Sequence, residues 1–180
     1  MIIVSNCGFD SRHRAGFDIR RPNGNGFYTL MFIKTEAFFE IDGKLINTPP
    51  NTAVLYDKTA YVHYGCRTQT YSDDWVRFDF SEEENLVEKL SLPLNQPFSL
   101  TDTTLLTEYI KIIVSKNFST HLYREQLIDA LMHALLYSLA GQIHASGDER
   151  RKNKYFLLLS QIRMNIRNKK KKKWDVASIA

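Results

Sequence analysis

Residues 52–80, TAVLYDKTAYVHYGCRTQTYSDDWVRFDF, constrain the fold of this chain more than any other stretch. Apolar, β-branched or aromatic residues alternate there with polar ones: Val54 and Tyr56, Tyr61 and His63, then Trp75, Arg77 and Asp79 against Val76, Phe78 and Phe80. A period of two is the mark of strands that bury one face, and turn residues break the run into consecutive short strands. One face carries Tyr, His, Trp and Arg. A closed β-structure lined in this way can hold a small polar molecule, stacked on an aromatic ring and fixed by a few hydrogen bonds.

The preceding residues continue the pattern. Residues 27–34 (FYTLMFIK) and 38–42 (FFEID) read as strands, and Asp42-Gly43 suits a tight hairpin into residues 44–47. Pro22-Asn23-Gly24-Asn25-Gly26 is a dense turn signal, and Pro49-Pro50-Asn51 makes another turn. Residues 1–21 read as an irregular polar lead-in with clustered arginines, of which 1–16 are free to fold over the mouth of the β-domain or to stay disordered.

After Phe80 the pattern changes to helix. Ser81 followed by Glu82, Glu83 and Glu84 predicts an N-cap with acids in the first turn, for a short helix ending near Pro93. Thr101-Asp102 opens a second helix with a stripe of Leu105, Leu106, Tyr109, Ile110, Ile113 and Val114. A third begins near Ser119 and carries Leu127, Ile128, Leu131, Leu135, Leu136, Leu139 and Ile143. Stripes this wide pack on a core or serve self-association. A linker at 145–148 precedes a further helical pattern at 155–167, and Asp175 reads as the cap of another helix at the end of the sequence. An isolated turn of helix has no core, so the end reads as part of a larger domain.

Charge is unevenly divided along these parts. Residues 1–147 hold 13 basic and 17 acidic side chains, whereas 148–180 hold 11 against 3. The basic end suits an anionic partner such as nucleic acid, or is a solvated turn built on the lysine run 169–173. The cysteines, Cys7 and Cys66, have neither metal spacing nor the density of a disulfide scaffold. The opening residues lack the form of a signal peptide, and no window approaches a membrane span, so a soluble cytoplasmic protein without membrane contact is expected.

Three stretches together resemble AraC-type bacterial transcriptional regulators. Asp18-Ile19-Arg20-Arg21-Pro22 through Tyr28-Thr29-Leu30 is similar to the start of the family's sensor domain. Tyr61-Val62-His63-Tyr64 with Asp74-Trp75-Val76-Arg77-Phe78 resembles its H-x-Y and W-[IV]-x-F strands. Ile162-Arg163, Ile166 and Trp174-Asp175-Val176-Ala177-Ser178-Ile179-Ala180 resemble the opening of its DNA-binding domain. The resemblance implies a mainly β plus α chain. Its parts would be a cupin-like β-barrel (double-stranded β-helix or jelly roll) over 1–80, a helical dimerisation region over 81–145, and a linker with the start of a helix-turn-helix domain over 146–180. Thr35-Glu36-Ala37, Pro50-Asn51-Thr52 and Asp57-Lys58 depart from the family's usual glycine and proline turns.

The same resemblance implies a small-molecule effector, of sugar type, held by Arg21, Tyr64 and Trp75 with Asp73. His63, read as a barrel or rim histidine, is counted with them among the ligand-binding candidates. It also implies a homodimer, and operator DNA bound only through the helix-turn-helix domain. Arginine and aspartate suit hydroxyl groups, and an indole face suits a sugar ring. The plainer alternatives are a core tryptophan, a core tyrosine, and an Arg21 ion pair with Asp18 or Glu40. A standalone sugar-binding module is a second functional class. A metal-dependent cupin enzyme is a third, but Tyr61 and Gly65 stand where a second histidine would be required. No catalytic constellation can be assembled, and no enzyme activity, metal or cofactor is expected.

Overall fold

A computed structural model of the chain describes residues 1–81, 85–145, 158–159 and 161–162. In chain order the elements are β1 (Ile2–His13), β2 (Asp18–Arg21), β3 (Tyr28–Ile33), β4 (Ala37–Ile41), β5 (Lys44–Thr48), β6 (Thr52–Tyr56), β7 (Val62–Gly65) and β8 (Tyr71–Phe80). They continue with α1 (Leu86–Lys89), β9 (Pro97–Ser99), α2 (Thr104–Asn117) and α3 (Arg124–His144). Two compact units divide the chain, Met1–Ile143 and His144–Ala180. In the second, Leu158, Leu159, Gln161 and Ile162 are helical, and Leu158 and Leu159 are exposed. The rest of the helix expected at 155–167, the lysine run and the Asp175 cap lie outside the described residues.

The first unit contains two antiparallel sheets, β1-β8-β3-β6-β9 and β2-β7-β4-β5. Strand one pairs with eight, two with seven, three with six and four with five. That nesting is a long hairpin folded over on itself, the jelly-roll topology of cupins. Closure comes from packing the two inner faces. The hydrogen-bonded ladders stay separate, so the expected closed barrel is a two-sheet sandwich.

Strand register divides the residues between two cores. The odd-numbered residues of β3 and β8 and the even-numbered residues of β6 point toward the second sheet. There Met31, Ile33, Val54, Tyr56, Phe39, Val62 and Tyr71 form one core. The opposite face of the first sheet supplies Leu30, Phe32, Leu55, Val76 and Phe78 to a second core shared with the helices. All six residues of β3 are consequently buried. A strand covered on both faces loses its polar alternation, as FYTLMFIK does.

The helices complete that second core. From α2 come Leu106, Ile110 and Ile113, and from α3 Ile128, Met132, Leu135, Leu136, Leu139 and Ala140. Packing on the sheet therefore uses most of both predicted stripes, although Leu105 stays 52% exposed. In α1 the cap is Asn85, whose Oδ1 accepts the Val87 N–H at 3.0 Å, in place of the expected Ser81.

The lead-in is ordered, contrary to the expectation of an irregular or disordered segment. β1 runs along β8, with register shifts between Val4 and Asn6 and between Gly8 and Ser11. Each bulge resets the face on which side chains fall, so no period of two survives in the sequence. At the second bulge β1 crosses Trp75 so closely that a Cβ on Gly8 would lie 2.7 Å from Ser11 Oγ and nearer still to the indole. Among the described residues no helix is long and apolar enough to cross a membrane.

Candidate functional site

The inner face of the first sheet is arranged in rows by its register. Thr29 pairs with Tyr56 on one side and Arg77 on the other, so Tyr56, Thr29 and Arg77 form one row across three strands. Val54, Met31 and Trp75 form the next row, and Thr52, Ile33 and Asp73 the third. Tyr71 follows on β8, beside His13 of β1. From the second sheet, Arg21 pairs with Val62 and Ile19 with Tyr64, which sets Arg21 and Tyr64 on the face opposing these rows.

One end of the interface between the two sheets is aromatic. His13 stacks on Phe17 at 3.9 Å between ring centroids; Phe17 lies 4.9 Å from Tyr71, and Tyr71 5.7 Å from Tyr64. The other end is polar. Its buried side-chain atoms Asn25 Oδ1, Tyr56 OH and Arg77 Nε have no hydrogen-bond partner, and deeper in the same face Asp73 Oδ1 has none either. Asn25 reaches this row by donating from Nδ2 to Thr29 Oγ1 at 3.1 Å. Buried polar atoms are nearly always paired, so four orphans on one inner face mark a place built for polar contacts from outside the chain.

The electrostatics join the groups into one cluster. Burial is the main cause that lowers Arg77 from its usual range, and the neighbouring charge of Arg21 adds to it. Burial raises Tyr64, with Asp73 pushing it further up while Arg21 and Arg77 oppose. Tyr56 is likewise raised by burial and then by Tyr64. Asp73 is 2% exposed, and burial pushes its carboxyl up to about 7, with the Tyr71 hydrogen bond acting against that rise. Tyr71 OH donates to Asp73 Oδ2 at 2.8 Å.

Of the residues implied by resemblance, the structure sets Arg21, Tyr64, Trp75 and Asp73 on the facing inner sides of the two sheets. Trp75 is placed as a platform: its indole N–H donates to Ser11 Oγ at 3.0 Å, and the Arg77 guanidinium lies 5.0 Å from the ring centroid. Arg21 is in no ion pair among the described residues. Its alternative partners are engaged elsewhere, Asp18 near Arg20 at 3.7 Å and Glu40 on His63.

His63 is parted from the others. Its neighbours in register, Arg20 and the outward-facing Phe38 and Glu40, place it on the outer face of the second sheet. Although only 2% exposed, it sits with Nδ1 2.5 Å from Glu40 Oε2, and its Nε2 accepts from Arg20 Nε at 3.2 Å. Tyr61 OH also donates to Glu40, and the His63 hydrogen bond is the main reason the Glu40 carboxyl lies below its usual range. This is a surface clasp between β2, β4 and β7. Among the described residues no group of three or more His, Cys, Asp or Glu side chains is placed to hold a metal ion.

The alternation at 52–80 puts Tyr56 and Arg77 on the aromatic and polar lining face but gives neither a partner, and Asn25 reads only as part of a turn. Alternation shows that Trp75 and Arg77 share a face. The row joining Arg77 to Tyr56 through Thr29, and the loop that carries Asn25 to it, need the register.

No family model matches the sequence, and no curated protein matches it. Among solved structures the chain is similar to the AraC-like transcriptional activator CuxR, at 13% identity and a TM-score of 0.48, over 72% of this chain and 48% of that one. It is also similar to ToxT from Vibrio cholerae, at 11% identity and a TM-score of 0.44, over 99% of this chain and 68% of that one. A cupin_2 domain of an XRE family transcriptional regulator from Enterobacter cloacae is similar at 14% identity and a TM-score of 0.33, over 39% of this chain and 77% of that one. The chain thus spans about half the length of the activator. None of these likenesses reaches a TM-score of 0.5, and the fold assignment stands on the strand pairing.

Proposed function

We propose that this chain is the effector-sensing and dimerisation portion of an AraC-type transcriptional regulator, with the effector bound between the two sheets of the jelly roll. The observation that carries this reading is the group of orphaned buried atoms, Asn25 Oδ1, Tyr56 OH, Asp73 Oδ1 and Arg77 Nε, on one inner face opposite Arg21 and Tyr64. A sugar-like molecule suits them: Asn25 Oδ1 takes a hydroxyl proton, the Asp73 carboxyl and the tyrosine give or take one, and the arginines donate. The three sequence motifs support the family, and the motif at 162–180 assigns operator contact to the helix-turn-helix domain it resembles.

The fold also supports a route from ligand to helices. Trp75 and Arg77 face the site, while Val76 and Phe78, which alternate with them along β8, pack in the core shared with α2 and α3. A ligand that shifts β8 shifts the surface on which those helices lie. The coupling needs an affinity difference between the two arrangements, typically about 1–3 kcal/mol. Exposed Leu105, Ile112 and Tyr137 on the same helices are candidates for the contact between protomers.

A thermal-shift screen with monosaccharides, uronic acids and small aromatic compounds tests this reading. A ligand at a hundredfold excess over its Kd adds about 2.7 kcal/mol, a rise of about 5–10 °C in Tm. The expected result is a hit that Arg21→Gln abolishes without loss of fold, together with a dimer by sedimentation. A hit unaffected by changes at Arg21, Tyr64 and Arg77 would refute the inter-sheet site.

A further inference from the structure

Resting on that reading, we infer that the effector is a small hydroxylated carboxylic acid, its carboxylate held between Arg77 and Arg21 at the polar end of the inter-sheet space. Register sets Arg21 and Arg77 on the facing inner sides of the two sheets, both residues are half-buried, and the charge of Arg21 adds to the burial that disfavours the charge on Arg77. Among the described residues neither is in an ion pair, and Arg77 Nε is buried without a partner.

The chain's own carboxylates do not neutralise this pair. Asp79, the next residue on the same face of β8, is held by Lys58 at 2.6 Å. Asp74 points to the other face and is held by Lys34 at 2.6 Å. Asp73 is four residues along the strand from Arg77, about 13 Å at the usual rise, and it receives the Tyr71 hydroxyl. Asp73 also holds its proton to about pH 7, which further reduces the negative charge facing the arginines.

Partly desolvated like charges without a counter-ion are unfavourable, and a planar guanidinium is shaped for two parallel hydrogen bonds to a carboxylate. The Arg77 guanidinium lies 5.0 Å from the centroid of the Trp75 ring, within reach of a cation–π contact. Tyr56 OH and Asn25 Oδ1, orphaned in the same row, are the partners for hydroxyl groups on the same ligand. A neutral sugar would leave both charges uncompensated, and an unfunctionalised acid would leave Tyr56 and Asn25 unpaired.

The test is calorimetric titration of the whole chain with matched pairs of an acid and its neutral counterpart: galacturonate and galactose, glucuronate and glucose, gluconate and sorbitol. The expected result is that an acid binds at least tenfold more tightly than its neutral partner, that binding weakens with salt, and that Arg77→Gln and Arg21→Gln each reduce it tenfold or more. Arg77→Lys, which keeps the charge without the fork, gives an intermediate loss, and it serves in place of Arg77→Gln if that variant does not fold. A neutral member binding as tightly as its acid, or acid binding indifferent to Arg77, overturns the acid assignment and leaves the sensing function standing. Absence of binding by every acid together with saturable binding by a compound of another class does the same. Absence of any ligand in both this titration and the wider thermal-shift screen overturns the sensing function itself.

Discussion

Replacing Asp73 by asparagine is expected to stabilise this protein in neutral and alkaline solution, and the size of the gain follows from burial. The folded carboxyl titrates near 7 against an ordinary value of 3.8, with desolvation as the main cause. Between those values the folded chain holds a proton that the unfolded chain has released. Stability contributed by this group is therefore largest below pH 3.8, falls as pH rises through the window, and levels off above 7. At about 1.36 kcal/mol for each unit, the full window amounts to about 4 kcal/mol. Asparagine matches the shape, can still accept the Tyr71 hydroxyl, and carries no charge. Urea unfolding of both proteins from pH 4.5 to 8.5 measures the effect, and their difference cancels the opposite contributions of Asp10, Glu40 and Asp57, whose carboxyls lie below the usual range. The variant should exceed the parent by up to about 4 kcal/mol at pH 8, with the two curves converging toward acid. Parallel curves, or a less stable variant at pH 8, would refute the buried, proton-retaining carboxyl.

Other substitutions probe the frame around the site. Gly8→Ala would drive a methyl group into Trp75 and Ser11, at an expected cost of about 1–3 kcal/mol with a changed tryptophan emission, both read by denaturant titration followed by fluorescence. Lys34→Ala leaves the fully buried Asp74 without the cation 2.6 Å from it, and a loss of about 3 kcal/mol in urea is expected at neutral pH. Leu135→Ala opens a cavity in the core common to α3 and the first sheet and should cost about 2–5 kcal/mol. Because helices and sheet share that core, far-ultraviolet circular dichroism and tryptophan fluorescence should report one coincident transition; separate transitions would show that the helices fold on their own.

The strands from β3 to β8 were readable because the alternation at 52–80 and the Asp42-Gly43 turn are local signals. β1 was hidden by its two bulges, and β9 is three residues opened by a proline. Arg21, Tyr64, Trp75 and Asp73 were reached through motif resemblance, whereas the partnership of Arg77 with Tyr56 and Asn25 depends on which strands lie side by side. Register between distant strands leaves no periodic trace in sequence. His63 shows the complementary failure. Residues 57–61 carry the chain from the first sheet to the second, so the parity linking Tyr56 to Trp75 does not extend to β7, and His63 falls on the outer face. The outer partners that occupy it, Glu40 and Arg20, come from β4 and β2.

Trp75 itself offers the most direct measurement of an effector site between the sheets. The chain's two tryptophans are Trp75 and Trp174, so Trp174→Phe leaves Trp75 as the sole indole reporter. Titrating a thermal-shift hit into this variant while recording Trp75 emission should give a saturable change at the same midpoint as calorimetry, abolished by Arg77→Gln. Saturable calorimetric binding with Trp75 emission unaltered would place the ligand elsewhere and contradict the account.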